Sequence, residues 1–347
     1  MMRQLAIIRT HRWGEEEERA LAALRPAFGE DVVVAYHNRK RGQKLPIPVV
    51  DVTAAWVVTS GLRAVPDYGW RCGDYFYHAT RQARPDYDYY WMMEPDVGFT
   101  GDSAAFFARF DDASEDVLGR GLKPYEEDIP FIRGMPGVPH WKAIFPFTRF
   151  SGRALDHLRP LRCAYGQGTV GNRFFTNDEI FCFTTIMNSP GFTGAPLEKY
   201  AADWLEDSSF DTNPTIMLEA VLADPPVNKV MHPVRSRYEF KRAIAARLAS
   251  NTGFLRRMRY SLTHLSDEDF NEILADAMVE LRRSLNEHRD IGAQAIQRRQ
   301  DWTGLVNQVP VNQEPMNQEP MNQEPVNQVP VQADLRTGGP REHAANQ

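Results

Sequence analysis

The first hundred residues switch repeatedly between two hydrophobic periods, and that switching restricts the chain to few architectures. Residues 5–9 (LAIIR) form a short apolar run, and Glu15–Phe28 has helical spacing with an acidic first turn that suits the helix dipole. Residues 31–36 contain VVVAY, the pattern of a buried strand, and residues 48–52 are a third short strand candidate. A helical stretch over about 72–82 leads into residues 87–93, YDYYWMM, a run rich in strand-favouring aromatics. Strands separated by helical crossovers predict an α/β fold with an open, mostly parallel sheet flanked by helices. In such sheets ligands bind beyond the carboxyl ends of the strands, so functional residues are sought there.

The other end of the chain cannot join that sheet. Residues 306–332 read VNQVP VNQEP MNQEP MNQEP VNQVP VQ, with proline at 310, 315, 320, 325 and 330. Proline in every pentad removes backbone donors and forbids continuous helix or strand, while Asn and Gln supply no core. A disordered, extended tail over 304–347 is the expectation. Before it, over 241–303, lies a helical segment. Ser266 and Asp269 form an acidic variant of the capping box, after which Phe270, Ile273, Leu274, Ala277, Leu281 and Leu285 share one helical face. A shorter amphipathic stretch covers residues 238–248. Both are expected to pack on the core, because amphipathicity mostly reports a buried stripe. Residues 1–240 are then left to form the sheet-bearing domain.

Composition removes several classes of function. With 40 Lys+Arg against 46 Asp+Glu the net charge is −6, which argues against non-specific nucleic-acid binding. No run approaches the roughly 18 apolar residues of a membrane-spanning helix, and residues 5–8 between Arg3 and Arg9 are too short for a secretory signal. Three cysteines, Cys72, Cys163 and Cys182, have no CxxC spacing, so neither a disulfide scaffold nor a four-cysteine zinc site is expected. The expected location is a reducing cytoplasm. The P-loop, GxSxG and HExxH signatures are absent. Gly166, Gly168 and Gly171 make a glycine-rich stretch that no strong strand precedes, read as a loop.

The chemistry concentrates where the aromatic strand ends. Glu94-Pro95-Asp96 places two carboxylates at i and i+2 as the chain enters a proline-bearing turn. Hard oxygen ligands so placed can converge on Mg²⁺ or Mn²⁺, which also take diphosphate oxygens; solvated loop acids are the alternative. The run YDYYWMMEPDV, followed by Phe99 and Asp102, resembles the metal-site segment of nucleotide-sugar-dependent glycosyltransferases of the GT-A type. Its wording is most similar to fungal α-mannosyltransferases of the Golgi and a group of bacterial relatives. The resemblance implies a Rossmann-like nucleotide-binding half, a divalent metal and transfer of a sugar from a nucleotide donor. It assigns Asp96 as direct metal ligand and Glu94 to the donor ribose or the edge of the metal site. The motif is EPD and not DxD, and further signatures of the fungal enzymes and their membrane anchor are missing, so mannose specificity does not carry over.

Other segments acquire roles through the same resemblance. Asn177-Asp178-Glu179 is similar to the acidic segment that faces the acceptor hydroxyl or donor sugar, where a carboxylate acts as general base in an inverting enzyme or steadies the oxocarbenium-like centre in a retaining one. Glu179 is the favoured catalytic residue, with Asp178 beside it. Asn177 with acids in the first turn also reads as an ordinary helix start. His232-Pro233-Val234-Arg235 matches a late His that completes the metal shell, with Arg235 near the diphosphate. Asp74, in Trp70-Arg71-Cys72-Gly73-Asp74, is a candidate for a ribose or base edge and equally a cap for its own helix. Arg9 and Thr10, ending the first strand, are placed at the nucleotide by topology. The cations of residues 229–260 read either as a solvated helix face or as a peripheral membrane contact. The resulting expectation is a metal-dependent glycosyltransferase acting on a nucleotide-sugar donor and a glycan or other hydroxyl acceptor. The alternative is a catalytically silent nucleotide- or sugar-binding module serving as an assembly or membrane platform.

Overall fold

The computed structural model describes residues 2–40, 42–168, 171–212, 215–250, 259–280 and 282–283. Its main sheet contains β1 (Gln4–Thr10), β2 (Val32–His37), β3 (Val49–Val52), β4 (Tyr89–Met93), β6 (Val117–Pro124), β7 (Trp141–Ser151) and β8 (Gly194–Pro196), with β5 (Gly98–Thr100) set apart. The seven strands lie in the order β3-β2-β1-β4-β7-β6-β8. The first four are mutually parallel, β7 runs antiparallel to both β4 and β6, and β8 is parallel to β6. This is the expected α/β architecture with a mostly parallel sheet flanked by helices.

Helices α1 (Glu15–Phe28), α2 (Ala54–Thr59), α3 (Tyr68–Arg71), α4 (Gly73–Ala83), α5 (Ser103–Ala108), α6 (Gly152–Gln167), α7 (Asp178–Met187) and α8 (Glu198–Ala201) follow or separate these strands. They cover both faces of the sheet, and that is why the early strands are apolar at consecutive positions. Leu5, Ile7, Val33, Ala35, Tyr90 and Met92 enter one core with Tyr75 and Phe76 of α4 and Leu155 and Leu158 of α6. Their neighbours Ala6, Ile8, Val32, Val34, Trp91 and Met93 enter the other, against Leu21 and Leu24 of α1 and Phe106 and Phe107 of α5. All five residues of β4 are buried. Each large side chain so buried contributes roughly 1.5–3 kcal/mol.

Beyond the sheet come β9 (Ile216–Met217), α9 (Leu218–Ala223), β10 (Lys229–Met231), β11 (Val234–Arg235), α10 (Arg237–Ser250), α11 (Arg259–Leu262) and a helix over 267–280, α12. Phe240, Ile244 and Ala245 of α10 pack with Ile273 and Ala277 of α12 on Met217 and Ala220. The capping box forms: Ser266 Oγ accepts from Asp269 N at 3.2 Å, and Asp269 Oδ2 accepts from Ser266 N at 2.9 Å. The buried stripe of α12 is narrower than its spacing predicts. Ile273 and Ala277 are covered, but Phe270 and Leu274 remain 39% and 55% exposed, because the contact with α10 is a single helix-on-helix seam. Leu281, Leu285 and the pentad repeat lie outside the described residues. Among the described residues no helix is long and apolar enough to cross a membrane.

Candidate active site

Strand register brings the first two candidate residues together. β1 and β4 are parallel with Ile8 opposite Met93, so Arg9 and Glu94 leave the sheet side by side. Arg9 Nη1 lies 2.7 Å from Glu94 Oε1, and Nη2 donates to the carbonyls of Gly69 and Trp70 at 2.8 Å each. The guanidinium also sits over the Phe76 ring and lies 3.7 Å from Asp178 Oδ2. Asp178 Oδ2 in turn accepts from Gly73 N at 2.5 Å. A Cβ at Gly73 would stand 2.5 Å from Arg9 Nη1 and 2.7 Å from Asp178 Oδ2, so only glycine lets α4 begin here.

The remaining candidate residues arrive from far along the chain. β10 pairs antiparallel with β5, Met231 opposite Gly98, and Val234 N donates to Asp96 O at 2.7 Å. This seam lays His232 and Arg235 against Asp96. His232 Nε2 is 3.6 Å from Asp96 Oδ1, while Nδ1 lies 2.8 Å from Asp211 O. A carbonyl at Nδ1 requires the proton there, which leaves Nε2 as the ring nitrogen turned to Asp96. Glu94, Asp96 and His232 each offer an atom, all within 4.8 Å of one another. Asp96 Oδ1 is buried and has no hydrogen-bond partner among the described residues, while Oδ2 accepts from Arg235 Nη2 at 3.0 Å. Two carboxylates and one imidazole, with an orphaned oxygen turned toward the imidazole, fit Mn²⁺ or Mg²⁺.

These residues border a cleft of ≈ 410 Å³ lined by Arg9, Thr10, Arg12, Glu16, His37, Asp67, Trp70, Glu94, Asp96 and Arg235 among others. It opens beyond the carboxyl ends of β1, β2 and β4, where the topology directs attention. Thr10 reaches it with its hydroxyl already 2.7 Å from Glu17 Oε1. His37, Glu16 and Trp70 are wall residues that motif reading did not place. His37 ends β2, so the strand-end rule alone could have found it. Glu16 has no such signal, since its partner Glu239 lies on α10. Burial and the Glu239 carboxyl push Glu16 up to about 7, while the hydrogen bond from Glu16 and the Arg12 guanidinium hold Glu239 low. The Arg12 guanidinium pairs with both carboxylates, Glu239 at 2.7 Å, and so ties α1 to α10 beside the cleft.

The structure separates the two acids of α7. Asn177 caps the helix, its Oδ1 accepting from Ile180 N at 3.3 Å. Asp178 turns inward to Gly73 and Arg9, and burial raises it well above the usual carboxylate range. Glu179 is half-buried; burial raises it too, with Glu94 adding to the effect and Lys142 opposing it. Neither lines the cleft itself.

Asp74 is not brought to the cleft. It is 1% exposed, and its Oδ2 lies 2.8 Å from Nε of Arg162, which is itself fully buried among the rings of Tyr75, Tyr165, Phe175 and Phe181. The polar residue needed in helix α4 is thus a counterion for an internal arginine. Stripping one partner from a buried pair leaves the other uncompensated, so Arg162→Met is expected to cost about 3–5 kcal/mol. Denaturant unfolding measures this, and a loss under about 1 kcal/mol would show that the pair is not what holds α4 to α6. The glycine-rich stretch also misses the cleft: Asn172 is held by Arg63 and Arg71. In the basic segment, Lys229 pairs with Glu206, Arg235 with Asp96, Arg237 with Asp269, and Lys241 with Asp269 and Glu272. Those four cations are neutralised internally; the side chains of Arg247, Arg256, Arg257 and Arg259 lie outside the described residues.

No protein-family model matches the sequence, and no curated protein matches it either. Among solved structures, the chain is similar to a protein of Bacillus anthracis described as a glucose-1-phosphate thymidylyltransferase, solved with sucrose. That likeness has a TM-score of 0.33 at 10% identity over 56% of this chain and 86% of the other. A glycosyltransferase involved in glycosylating the major capsid of PBCV-1 gives a TM-score of 0.35 at 9% identity, over 68% of this chain and 96% of the other. Neither likeness assigns an activity to this chain.

Proposed function

We propose that the chain is a metal-dependent glycosyltransferase that moves a sugar from a nucleotide-sugar donor to a hydroxyl acceptor. One observation carries the reading: Glu94, Asp96 and His232, from segments more than a hundred residues apart in sequence, offer three ligand atoms within 4.8 Å at the carboxyl end of a central strand. A solvated acidic turn has no reason to bury an unpartnered Asp96 oxygen opposite an imidazole. The adjoining cleft suits a nucleotide in size, and among its lining arginines the partly exposed Arg235 can face phosphate charge.

In this reading Asp96, Glu94 and His232 hold Mn²⁺ or Mg²⁺. When bound, such a cation supplies Lewis-acid stabilisation of the departing diphosphate. Arg9 fixes Glu94: anchored by two carbonyls, it keeps the carboxylate at the strand end instead of in solvent. Arg235 stands at the open side, where a guanidinium stabilises negative charge on phosphate. Glu179 accepts the proton of the acceptor hydroxyl, and Asp178 holds the start of α4 against Arg9. The nucleoside occupies the cleft between Thr10, His37 and Trp70.

A panel of UDP-, GDP- and dTDP-sugars screened by thermal shift with and without Mn²⁺ tests the reading. One nucleotide family is expected to raise Tm only with the metal present, since a ligand at 100 times its Kd stabilises by about 2.7 kcal/mol. Slow hydrolysis of the same donor should accompany it. Metal-dependent binding without any hydrolysis would favour the silent binding module, and no binding across the panel would remove nucleotide sugars as substrates.

A further inference from the structure

We propose that Arg235 is a built-in counterion for Asp96 that gives way when the divalent cation binds and then turns to the donor diphosphate, so that cation and nucleotide tighten each other's binding. The inference rests on the metal and nucleotide reading above and adds an exchange of partners to it.

Two arginines neutralise the motif carboxylates, and they are held very differently. Arg9 is 6% exposed, clamped by the carbonyls of Gly69 and Trp70 and backed by Phe76; it has nowhere to go. The Arg235 side chain is 39% exposed, and among the described residues it makes a single hydrogen bond, from Nη2 to Asp96 Oδ2. Its backbone, by contrast, is fixed, because β11 pairs Arg235 with Met217. The residue is an arm on a rigid base. It borders the cleft on one side and the cavity beside Tyr238 and Arg242 on the other, so its guanidinium has room in both directions.

The charges give the exchange its direction. Glu94 and Asp96 against Arg9 and Arg235 sum to zero, so the site without a cation is balanced. A divalent ion seated on the orphaned Asp96 Oδ1 would stand on the same carboxylate as Arg235. It would draw charge from that carboxylate and repel the guanidinium. The site would then be positive by two charges, which matches a diphosphate, and Arg235 would be the arm free to meet it. By linkage, what the nucleotide adds to cation affinity the cation adds to nucleotide affinity.

Mn²⁺ alone is titrated into the full chain and the free ion followed by electron paramagnetic resonance, first without and then with UDP or GDP. Removing an internal competitor should let Arg235→Gln bind Mn²⁺ alone about three- to fivefold tighter, the scale of a partly exposed ion pair. The further tightening that the nucleoside diphosphate confers should shrink by at least the same factor. Arg235→Lys, which keeps the charge, should behave like the wild type and exposes any folding defect in the neutral variant. Unchanged or weaker Mn²⁺ binding in Arg235→Gln, with Asp96-dependent binding intact in the wild type, overturns the exchange alone. A wild type that binds no Mn²⁺, or binds it equally well with Asp96→Ala, overturns the metal reading and the exchange with it.

Discussion

In Asp96→Ala, Mn²⁺-dependent binding of the nucleotide sugar is expected to vanish and donor turnover to fall by about 10²–10³-fold, the cost of deleting a group aimed at transition-state charge. The side chain is the only one of the three candidate ligands with a buried oxygen lacking any hydrogen-bond partner among the described residues. Nothing else replaces it: Glu94 is already committed to Arg9, and His232 supplies a single nitrogen. Stability should change little. Asp96 follows β4 instead of packing in it, its carbonyl still receives Val234 N, and the Arg235 partner left behind is partly exposed. His232→Ala should give a partial loss of the same kind, because water can fill one coordination position. Unaltered metal and donor affinity in Asp96→Ala would remove the metal centre from this site.

The amino-terminal half of the fold is legible in the sequence because its strands are covered on both faces. Consecutive apolar residues in β1, β2 and β4 serve two cores at once, which gives continuous runs that mark strands plainly. β7 carries no such run. Its burial alternates from Lys142 to Phe147 before becoming continuous, and a proline stands inside it. Its antiparallel insertion between β4 and β6 follows from register, which no local spacing records.

The candidate site divides in the same way. Glu94 and Asp96 are legible because strand end, proline turn and paired acids coincide within three residues. Their contact with His232 and Arg235 depends on β5 meeting β10, with Asp96 and Arg235 separated by 139 positions in sequence. Only resemblance could suggest it beforehand. Asp74 shows the opposite case. An acid near a helix start looks available in sequence, but the arginine that captures it, Arg162, sits on α6 in an aromatic cage that the local pattern does not disclose. Likewise Arg12, pairing with both Glu16 and Glu239, joins α1 to α10, two helices that read separately as amphipathic surfaces.

Glu179→Gln is the variant that separates chemistry from binding. If Glu179 takes the acceptor proton, kcat should fall by the roughly 10²–10⁴-fold that general-base catalysis contributes, with donor affinity held within a few-fold. The structure gives the two neighbouring acids different work. Asp178 spends one oxygen on Gly73 N and the other on Glu179 N, and it faces Arg9; Asp178→Asn should therefore loosen the start of α4 and lower stability before it alters chemistry. Glu179 Oε2 receives a 3.4 Å contact from Asn177 Nδ2, and the side chain lies in the field of Glu94 and Lys142. Burial, reinforced by Glu94, raises its carboxyl above the usual glutamate value of about 4.3. A base must be deprotonated to act, so wild-type kcat should decline as pH falls through that raised value. The decline should be absent from whatever residual activity Glu179→Gln retains. Activity within a few-fold of wild type, with the acid limb of the pH profile still present, would show that the proton goes elsewhere, and Asp178 would be the next carboxylate to test.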